Sequence, residues 1–549
     1  MDSQKTGRQK KNTAAKAVAF LLPAFFMLIV LSLYGIRYHT NDDATLANIA
    51  AGAYGDVYHM VYVNMLFSLL LRPFYALAGA NWYVIVQLLL TAVSMGAVGV
   101  ILVRKEGALP GILRTLCVLV PFVIPLFYLF QYTKNAAVIS AGGLLLVARE
   151  LGSFSPGAMF GILLAFIGSL IRFESFAMAG AMFAVPLLFA FFRLDGRKKK
   201  NAVITVAVML AAVFARKGID TAFYDSDESW KAYREYNRAR MEFSDHKVYL
   251  IGEENPFADR DVSETDFEML LRWDYFDEDH FTRDRLNELS DSIEYPTLSA
   301  VVLELPETLL EAVTSSSYGK ALAVFIICTA VLSLLGGEKR ILAFLCHLTV
   351  LLVAVVFLVW SQRLPPYVEL GLFFAFITGS VFIALREEKF KAATPMYAIT
   401  LLLCMFASYP ELGGLKEASR AYRDWAVLEQ SYFEDMSRHK ENLYLLSTES
   451  INVAAGLDVW HPRTDGFYSN IVAYGGWLSN APHRKRALRA YGLQRPIVDG
   501  VDRENVFFDY HNINGAVAYA SQERGEDVEA VSEGENAFAP YRLKSVHDN

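Results

Sequence analysis

Long apolar runs, separated by short polar stretches, occupy most of the chain. The first run covers residues 17–36. Comparable runs predict further helices at 82–103, 112–131, 135–149, 156–172, 175–193, 201–216, 320–336, 340–360, 367–385 and 395–409. Apolar helices of about 16–22 residues can cross the hydrocarbon core of a bilayer. The pattern therefore predicts an all-α polytopic membrane protein with about eleven transmembrane helices.

Lysine and arginine residues gather in alternate loops, and this asymmetry orients the helices. Cations precede the first run, and alternation places others on the same side: Arg104, Lys105, Arg114, Arg149, the cluster at 193–200, Lys339, Arg340, Arg386, Lys389 and Lys391. The short loops on the other side carry Lys134, Arg172 and Arg363. Because cytoplasmic loops are enriched in cations, the N-terminus is predicted to be cytoplasmic, and residues 217–319 and 410–549 extracytoplasmic.

Between the first two crossings, the pattern predicts two helices that lie along the outer interface, at 43–54 and 58–79. An Arg-Pro step interrupts the second, and counting it as a crossing would reverse the orientation of the later loops. Thr40 or Asn41 is the predicted N-cap of the first helix, and Gly52 is its predicted end.

The two extracytoplasmic segments differ in character. Amphipathic helices are predicted in 217–319 after residues that favour helix N-caps: Ser226, Ser263 and Thr282. Strand-like runs alternate with helical ones in 410–549, at 443–447 and 505–510. The predicted organisation is a transmembrane unit over 1–409, which includes the loop 217–319, followed by a small α/β domain over 410–549.

Composition agrees with this class and excludes others. The 549 residues are 54% hydrophobic, with a mean hydropathy of +0.28, which few soluble domains reach. A formal net charge of −7 argues against a nucleic-acid partner. The cysteines lie in apolar runs without metal-ligand spacing, so they are predicted to be buried thiols: Cys117, Cys328, Cys346 and Cys404.

Charged residues at the outer ends of the apolar runs are the candidates for chemistry. They are Asp42, Asp43, Lys134, Arg172, Glu174, Arg363 and Glu369, of which Lys134, Arg172, Glu174 and Arg363 are predicted to bind substrate. Transporters that keep charge in the membrane usually place it near the midplane, on the substrate path. Charge confined to the outer ends instead predicts a cavity open to water, which favours a reaction on a lipid-attached substrate.

Asp42 and Asp43 are the leading candidates. Adjacent residues at a helix start face different ways, so one carboxylate can point into the cavity while the other caps backbone N–H groups or orients its neighbour. The alternative is helix capping alone. A metal site that adds His39 and His59 can be drawn, but the spacing matches no known ligand pattern, so no metal is predicted.

The two arginines offer planar forks that suit phosphate oxygens. The alternative for Arg172 is a local ion pair with Glu174, and for Arg363 a local ion pair with Glu369. A row of Trp230, Tyr233 and Tyr236 could stack on sugar rings, but its helical spacing favours packing in a core. The sequence leaves open whether the arginines bind phosphate or form local ion pairs, and whether the aromatic row stacks on sugars or packs in a core.

The run NDDATLANIAAG at 41–52, directly after a first span with a cytoplasmic N-terminus, resembles the motif that opens the first external loop of GT-C glycosyltransferases. The resemblance implies a multi-spanning membrane enzyme that transfers a sugar from a polyprenyl-phosphate donor to a glycan, lipid or protein acceptor. The short cytoplasmic loops and the absence of retrieval tails favour a bacterial plasma membrane. It implies that Asp42 is catalytic and Asp43 its acidic neighbour. Arg363 or Arg172 would then balance the charge of the leaving phosphate, and no cofactor is implied.

Three other functions remain open from the sequence. A polysaccharide polymerase or ligase that joins lipid-linked units would rely on residues in 217–319 or on Arg363. A lipid-linked glycan flippase would need no catalytic carboxylate. An inactive sensor could bind cell-wall glycan through its C-terminal domain.

Overall fold

The computed structural model describes residues 2–252, 254–384, 393–453, 458–534 and 539–546. The helices before residue 226 are α1 (Asp2–Leu33), α2 (Asn41–Ala51), α3 (Met65–Leu77), α4 (Trp82–Glu106), α5 (Ala108–Leu119), α6 (Val123–Phe127), α7 (Tyr132–Arg149), α8 (Pro156–Ile171), α9 (Phe173–Phe191) and α10 (Gly196–Asp225). Those that follow are α11 (Glu228–Ser244), α12 (Glu264–Leu271), α13 (Arg283–Asp291), α14 (Leu298–Ser315), α15 (Ser317–Leu334), α16 (Glu338–Trp360), α17 (Pro366–Ala384), α18 (Ala393–Leu412) and α19 (Leu415–Arg438).

The C-terminal part adds short helices and a sheet. Its helices are α20 (Thr448–Val453), α21 (Pro482–Ala490), α22 (Pro496–Gly500) and α23 (Ile513–Arg524). The strands among the described residues are β1 (Arg37–Tyr38), β2 (Leu129–Phe130), β3 (Leu443–Leu446), β4 (Ile471–Ala473), β5 (Val506–Phe508), β6 (Val528–Ser532) and β7 (Tyr541–Ser545). Strands β3 to β7 form one sheet in the order β4-β3-β5-β7-β6, in which β4, β3 and β5 are parallel.

The predicted class of a mostly helical, membrane-embedded protein is confirmed. Among the described residues, nine helical segments are long and apolar enough to cross a membrane. The two remaining predicted crossings correspond to α7, which has Lys134 in its first turn, and α8, which has 16 residues. The count of eleven and the orientation stay predictions. Arg386, Lys389 and Lys391, which support the orientation, lie outside the described residues.

Helices α7 and α17 lie at the centre of the bundle, where nearly all of their residues are buried. Small residues allow α7 and α8 to approach each other closely. A Cβ on Gly143 would lie 2.6 Å from the carbonyl oxygen of Gly161, and a Cβ on Gly161 would lie 2.7 Å from that of Gly143. Such glycine contacts are a common basis of helix packing in membranes, where the hydrophobic effect does not draw helices together.

A two-strand parallel pairing brings two helix starts together. Strand β1 pairs with β2, with Tyr38 opposite Phe130. Helix α2 begins three residues after β1, and α7 begins two residues after β2. Since the strands are parallel, both helices start at the carboxyl end of the strand pair, and the N-terminus of α2 lies beside that of α7.

The segment between α1 and α4 differs in detail from its predicted form. Gly52 ends α2 with a φ of 90°, as predicted. Thr40 occupies the N-cap position, but its hydroxyl donates to Asp43 rather than capping the helix. Helix α3 begins at Met65 instead of residue 58, because the side chain of Asn64 accepts from the N–H of Leu66 and starts the helix there.

Residues of the loop 217–319 pack against the C-terminal sheet. Phe257 and Leu286 share one hydrophobic cluster with Leu445 and Val506 of the sheet. Of the predicted helix starts, Ser263 forms a reciprocal capping box and Thr282 caps α13, whereas Asp227 rather than Ser226 caps α11. The boundary predicted at residue 410 stays a prediction, and the structure adds that the loop and the tail meet.

Candidate active site

Asp43 is fully buried between α2 and α7. Its Oδ1 accepts the backbone N–H of Tyr132 at 2.9 Å and the hydroxyl of Tyr83 at 3.5 Å, while its Oδ2 accepts the hydroxyl of Thr40 at 3.0 Å. The carboxylate thus caps the first turn of α7 from a neighbouring helix, where the helix dipole favours negative charge. Burial nonetheless raises the pKa of Asp43 well above its ordinary value, against the effect of the Tyr132 N–H.

Asp42 is partly exposed, and its contacts differ from those of Asp43. Its Oδ1 accepts the indole N–H of Trp477 at 2.8 Å, from a residue 435 positions away in the chain. Burial among protein atoms raises the pKa of Asp42, and the nearby charge of Asp245 raises it further. The Trp477 N–H and the charges of Arg172 and Arg240 act in the opposite direction.

The acidic pair therefore divides into two environments. Asp43 has its oxygens occupied by three donors inside the bundle, and it holds α7 against α2. Asp42 keeps part of its surface accessible. This is the division of roles expected for an acid that meets a substrate and a neighbour that supports it.

Arg172 lies beside the acidic pair at the start of α9. Its Nη1 donates to the hydroxyl of Tyr132 at 3.1 Å, and its guanidinium lies 5.2 Å from the ring centre of Tyr62. It also forms the local ion pair considered from the sequence, with Nε at 2.9 Å from Glu174. The side chain of Glu174 is 70% exposed while that of Arg172 is 13% exposed, so water reaches the carboxylate more easily than the arginine.

Arg363 pairs with the loop 217–319 rather than with Glu369. Its Nη1 donates to the carbonyl of Asp245 at 3.2 Å and lies 3.8 Å from the Asp245 carboxylate. The same carboxylate accepts from Arg240 at 3.2 Å, and Arg240 also donates to the hydroxyl of Tyr62 at 3.1 Å. Asp245 thus joins two arginines, and the Tyr62 hydroxyl extends this network toward Asp42.

Lys134 is buried and its ammonium faces the backbone. Nζ donates to the carbonyls of Pro125 and Leu129 at 2.7 Å each and lies 3.4 Å from Nδ1 of His39. These contacts fix the turn that precedes α7. A direct contact of Lys134 with substrate stays a prediction, while its structural role is evident.

The histidines that flank the acidic pair have other neighbours. His59 stacks on Trp230, with ring centres 3.9 Å apart and nearly parallel planes. Burial lowers the pKa of His39 to about 3 and that of His59 to about 4, so both are neutral. Within the ranges that the structure describes, no group of three acidic, histidine or cysteine side chains could hold a metal ion. Trp230, Tyr233 and Tyr236 are buried, as expected for core residues.

Several residues of this region were not singled out from the sequence. They are Tyr62, Tyr132, Arg216, Arg240, Asp245 and Trp477. Arg216 is 6% exposed, and its Nε and Nη2 have no hydrogen-bond acceptor among the described residues. An arginine near the end of an apolar helix was a usable signal for Arg216. No local pattern marks Trp477, because its contact with Asp42 depends on how the sheet packs on the bundle.

No family model matches the chain, and no curated protein is significantly similar to it.

Proposed function

We propose that the protein is a membrane glycosyltransferase that moves a sugar from a polyprenyl-phosphate donor to an acceptor hydroxyl at the outer face of a cell membrane. The observation that supports this most is the pairing of a partly exposed Asp42 with a buried, fully bonded Asp43, next to a group of arginines. A carboxylate and arginines in one place supply a base for the acceptor and cations for a leaving phosphate.

The proposed reaction is a single displacement with inversion. Asp42 takes the proton of the acceptor hydroxyl, and the acceptor oxygen forms a bond to the anomeric carbon. The bond between that carbon and the phosphate oxygen breaks, and the lipid phosphate leaves with the electron pair. The raised pKa of Asp42 suits this role, because a base works best when its pKa lies nearer the working pH.

Arg172 is the proposed ligand of the donor phosphate, with Arg363 as the second. The exposed Glu174 can be displaced from Arg172 by a phosphate that offers the same two-oxygen geometry. Arg216, whose Nε and Nη2 lack acceptors among the described residues, adds positive charge close to Glu174. Positioned cations that meet charge as it develops are often the largest contribution to such a rate.

The remaining features of the proposal concern placement. The N-terminus is cytoplasmic, the loop 217–319 and the residues after 410 are outside, and the fold is GT-C-like with α2 and α3 along the outer interface. The cation-rich loops support this orientation. The partners are the lipid-linked donor, an envelope acceptor and the bilayer, most simply in a bacterium.

Substitution of Asp42 by Asn tests the proposal. Asp42→Asn keeps the shape and the contact with Trp477 but removes the base, so turnover should fall about 10²-fold or more while donor binding changes little. The assay is sugar transfer by the purified full-length protein in nanodiscs, with binding of undecaprenyl-phosphate sugars measured by calorimetry.

Asp56→Asn is the matched control, since Asp56 belongs to the same loop and its side chain is 97% exposed. Its turnover should equal that of the wild type. Wild-type turnover in Asp42→Asn would contradict the mechanism and would favour the polymerase function, for which the acidic pair is dispensable.

A further inference from the structure

Trp477 covers the carboxylate that the proposed mechanism uses as a base. The indole N–H donates to Oδ1 of Asp42 at 2.8 Å, and the tryptophan is 7% exposed. The indole N–H thus occupies a position that the hydroxyl of an acceptor would take as it donates its proton to Asp42. In the structure, Oδ1 of Asp42 therefore already accepts a hydrogen bond from the protein.

The backbone on both sides of Trp477 is anchored. The N–H of Gly476 donates to the carbonyl of Trp273 at 2.8 Å. The hydroxyl of Tyr233 donates to the carbonyl of Trp477. Gly475 has no room for a side chain, because a Cβ there would lie 1.8 Å from the Thr448 hydroxyl oxygen. These contacts hold the main chain on both sides of Trp477, so rotation of the indole side chain is the movement that we expect to release Asp42.

The indole also packs against the ring of Tyr62. Its ring centre lies 4.9 Å from that of Tyr62, with the planes at 58°. Tyr62 in turn lies near Arg172, its hydroxyl accepts from Arg240, and its ring offers a flat apolar face to this region. A saccharide has hydroxyl edges and an apolar C–H face, so it can replace the indole on both Asp42 and Tyr62.

We propose that Trp477 is a gate for a saccharide acceptor: the indole closes Asp42 until a sugar hydroxyl displaces it. This inference rests on the proposed glycosyltransferase function. The benefit of such a gate is protection of the donor, because exclusion of water from a reactive site prevents hydrolysis in place of transfer.

The reaction that the gate prevents is hydrolysis of the sugar donor. Without the indole, Asp42 takes a proton from a water molecule, and the water oxygen bonds to the anomeric carbon. The bond from that carbon to the phosphate oxygen breaks, and the phosphate leaves with the electron pair. The products are the free sugar and the polyprenyl phosphate, and both can be measured without knowledge of the acceptor.

Release of free sugar from a panel of undecaprenyl-phosphate hexoses, without acceptor, tests the gate. The proteins are the wild type, Trp477→Phe and Trp477→Ala, each full-length in nanodiscs. Loss of a hydrogen bond to a charged group should raise hydrolysis about tenfold in both variants. Addition of Asp42→Asn to Trp477→Ala should abolish the increase, because the base is then absent. Trp425→Phe, an exposed tryptophan on α19, is the control and should hydrolyse the donor like the wild type.

The pH dependence separates a gate from a structural role. The indole N–H stabilises the charged form of Asp42, so Trp477→Phe should move the acidic limb of hydrolysis to higher pH. Loss of folding would lower the rate at every pH without this movement, and Trp477→Phe keeps the ring that packs on Tyr62.

The outcomes distinguish the two proposals. Hydrolysis and an acidic limb that stay at wild-type values in both Trp477 variants, while Asp42→Asn abolishes transfer, would overturn the gate and leave the glycosyltransferase function standing. A wild-type protein that binds and converts none of the lipid-phosphate sugars would overturn both.

Discussion

The outer end of the bundle and the edge of the sheet each hold a pair of aspartates, and the two pairs have different neighbours. Asp42 and Asp43 lie in the first turn of α2, beside the start of α7. Asp274 and Asp509 lie at the carboxyl edge of the sheet, where Asp274 accepts from Thr448 at 2.9 Å and from Asn512 at 3.1 Å. Burial raises the pKa of Asp274 to about 7 and that of Asp509 to about 6. A raised pKa is therefore common to both pairs.

The difference lies in access and in the charge nearby. Asp42 is partly exposed and is close to Arg172 and Arg240, whereas Asp274 is buried and bonded to a hydroxyl, a backbone N–H and an amide. The crevice at the carboxyl ends of parallel strands is a usual ligand site in open α/β sheets. Here Asp274, which comes from the loop 217–319, fills it. Perturbed pKa values alone thus do not identify the functional pair.

The two aspartate pairs must lie on the same side of the membrane, since the loop 217–319 and the tail contact each other. Cysteine labelling tests this location with an all-or-none result. In a background without cysteine, Ser229→Cys and Ser532→Cys should react with an impermeant maleimide in intact cells. Both serines are exposed, one in the loop 217–319 and one in the tail. The physical basis is the enrichment of cations in the loops on the opposite side.

Lys339→Cys, also exposed, is the control for the cation-rich side and should react only after lysis. Labelling of Ser532→Cys only after lysis would place the tail in the cytoplasm. A cytoplasmic tail would be incompatible with an external site that contains both Asp42 and Trp477.

The sequence predicts the helical framework and part of the site for the same reason. Membranes require long apolar helices and displace charge to their ends, so both the helices and the positions of Asp42 and Arg172 leave a local signal. The partners of these residues leave none. Arg363 pairs with Asp245 instead of Glu369, and Trp477 reaches Asp42, because the loop and the sheet pack onto the bundle.

A comparison of Arg172 with Arg272 tests the difference between the two regions through donor binding. The expected change in KM is large, but it is smaller than the all-or-none result of the labelling. Arg172 and Arg272 each form an ion pair with a glutamate, but Arg172 lies beside Asp42 and Arg272 beside the sheet edge. Arg172→Ala should raise the KM for a polyprenyl-phosphate sugar about tenfold or more, because the phosphate loses a charged hydrogen-bond partner. Steady-state transfer kinetics measure the effect.

Arg172→Lys should restore only part of this binding, since an ammonium lacks the planar fork of a guanidinium. Arg272→Ala serves as the matched control and should leave KM unchanged, because its pair with Glu449 is exposed. An equal rise of KM in Arg172→Ala and Arg272→Ala would mean that the arginine beside Asp42 has no special role in binding.

The smallest expected effect is on stability, and it concerns Asp274. An aspartate in the unfolded chain has a pKa of about 4, while burial raises the pKa of Asp274 to about 7 in the folded protein. Between these values the folded protein holds a proton that the unfolded chain has released. The contribution of Asp274 to stability is therefore present below about pH 4 and is lost as the pH rises toward 7.

The side chain of the Asp274→Asn variant is neutral at every pH, so the variant does not lose this contribution to stability as the pH rises. The amide of Asn512 can rotate to accept from the new side chain, so the hydrogen bonds are kept. Relative to the wild type, the Tm of Asp274→Asn in detergent should rise by a few degrees between pH 5 and pH 8, and Asp279→Asn, an exposed neighbour, should show no such change. A Tm difference independent of pH would mean that Asp274 stays charged in the folded protein. The sheet-edge pair would then be a second charged site, and the contrast with Asp42 and Asp43 would have to rest on access alone.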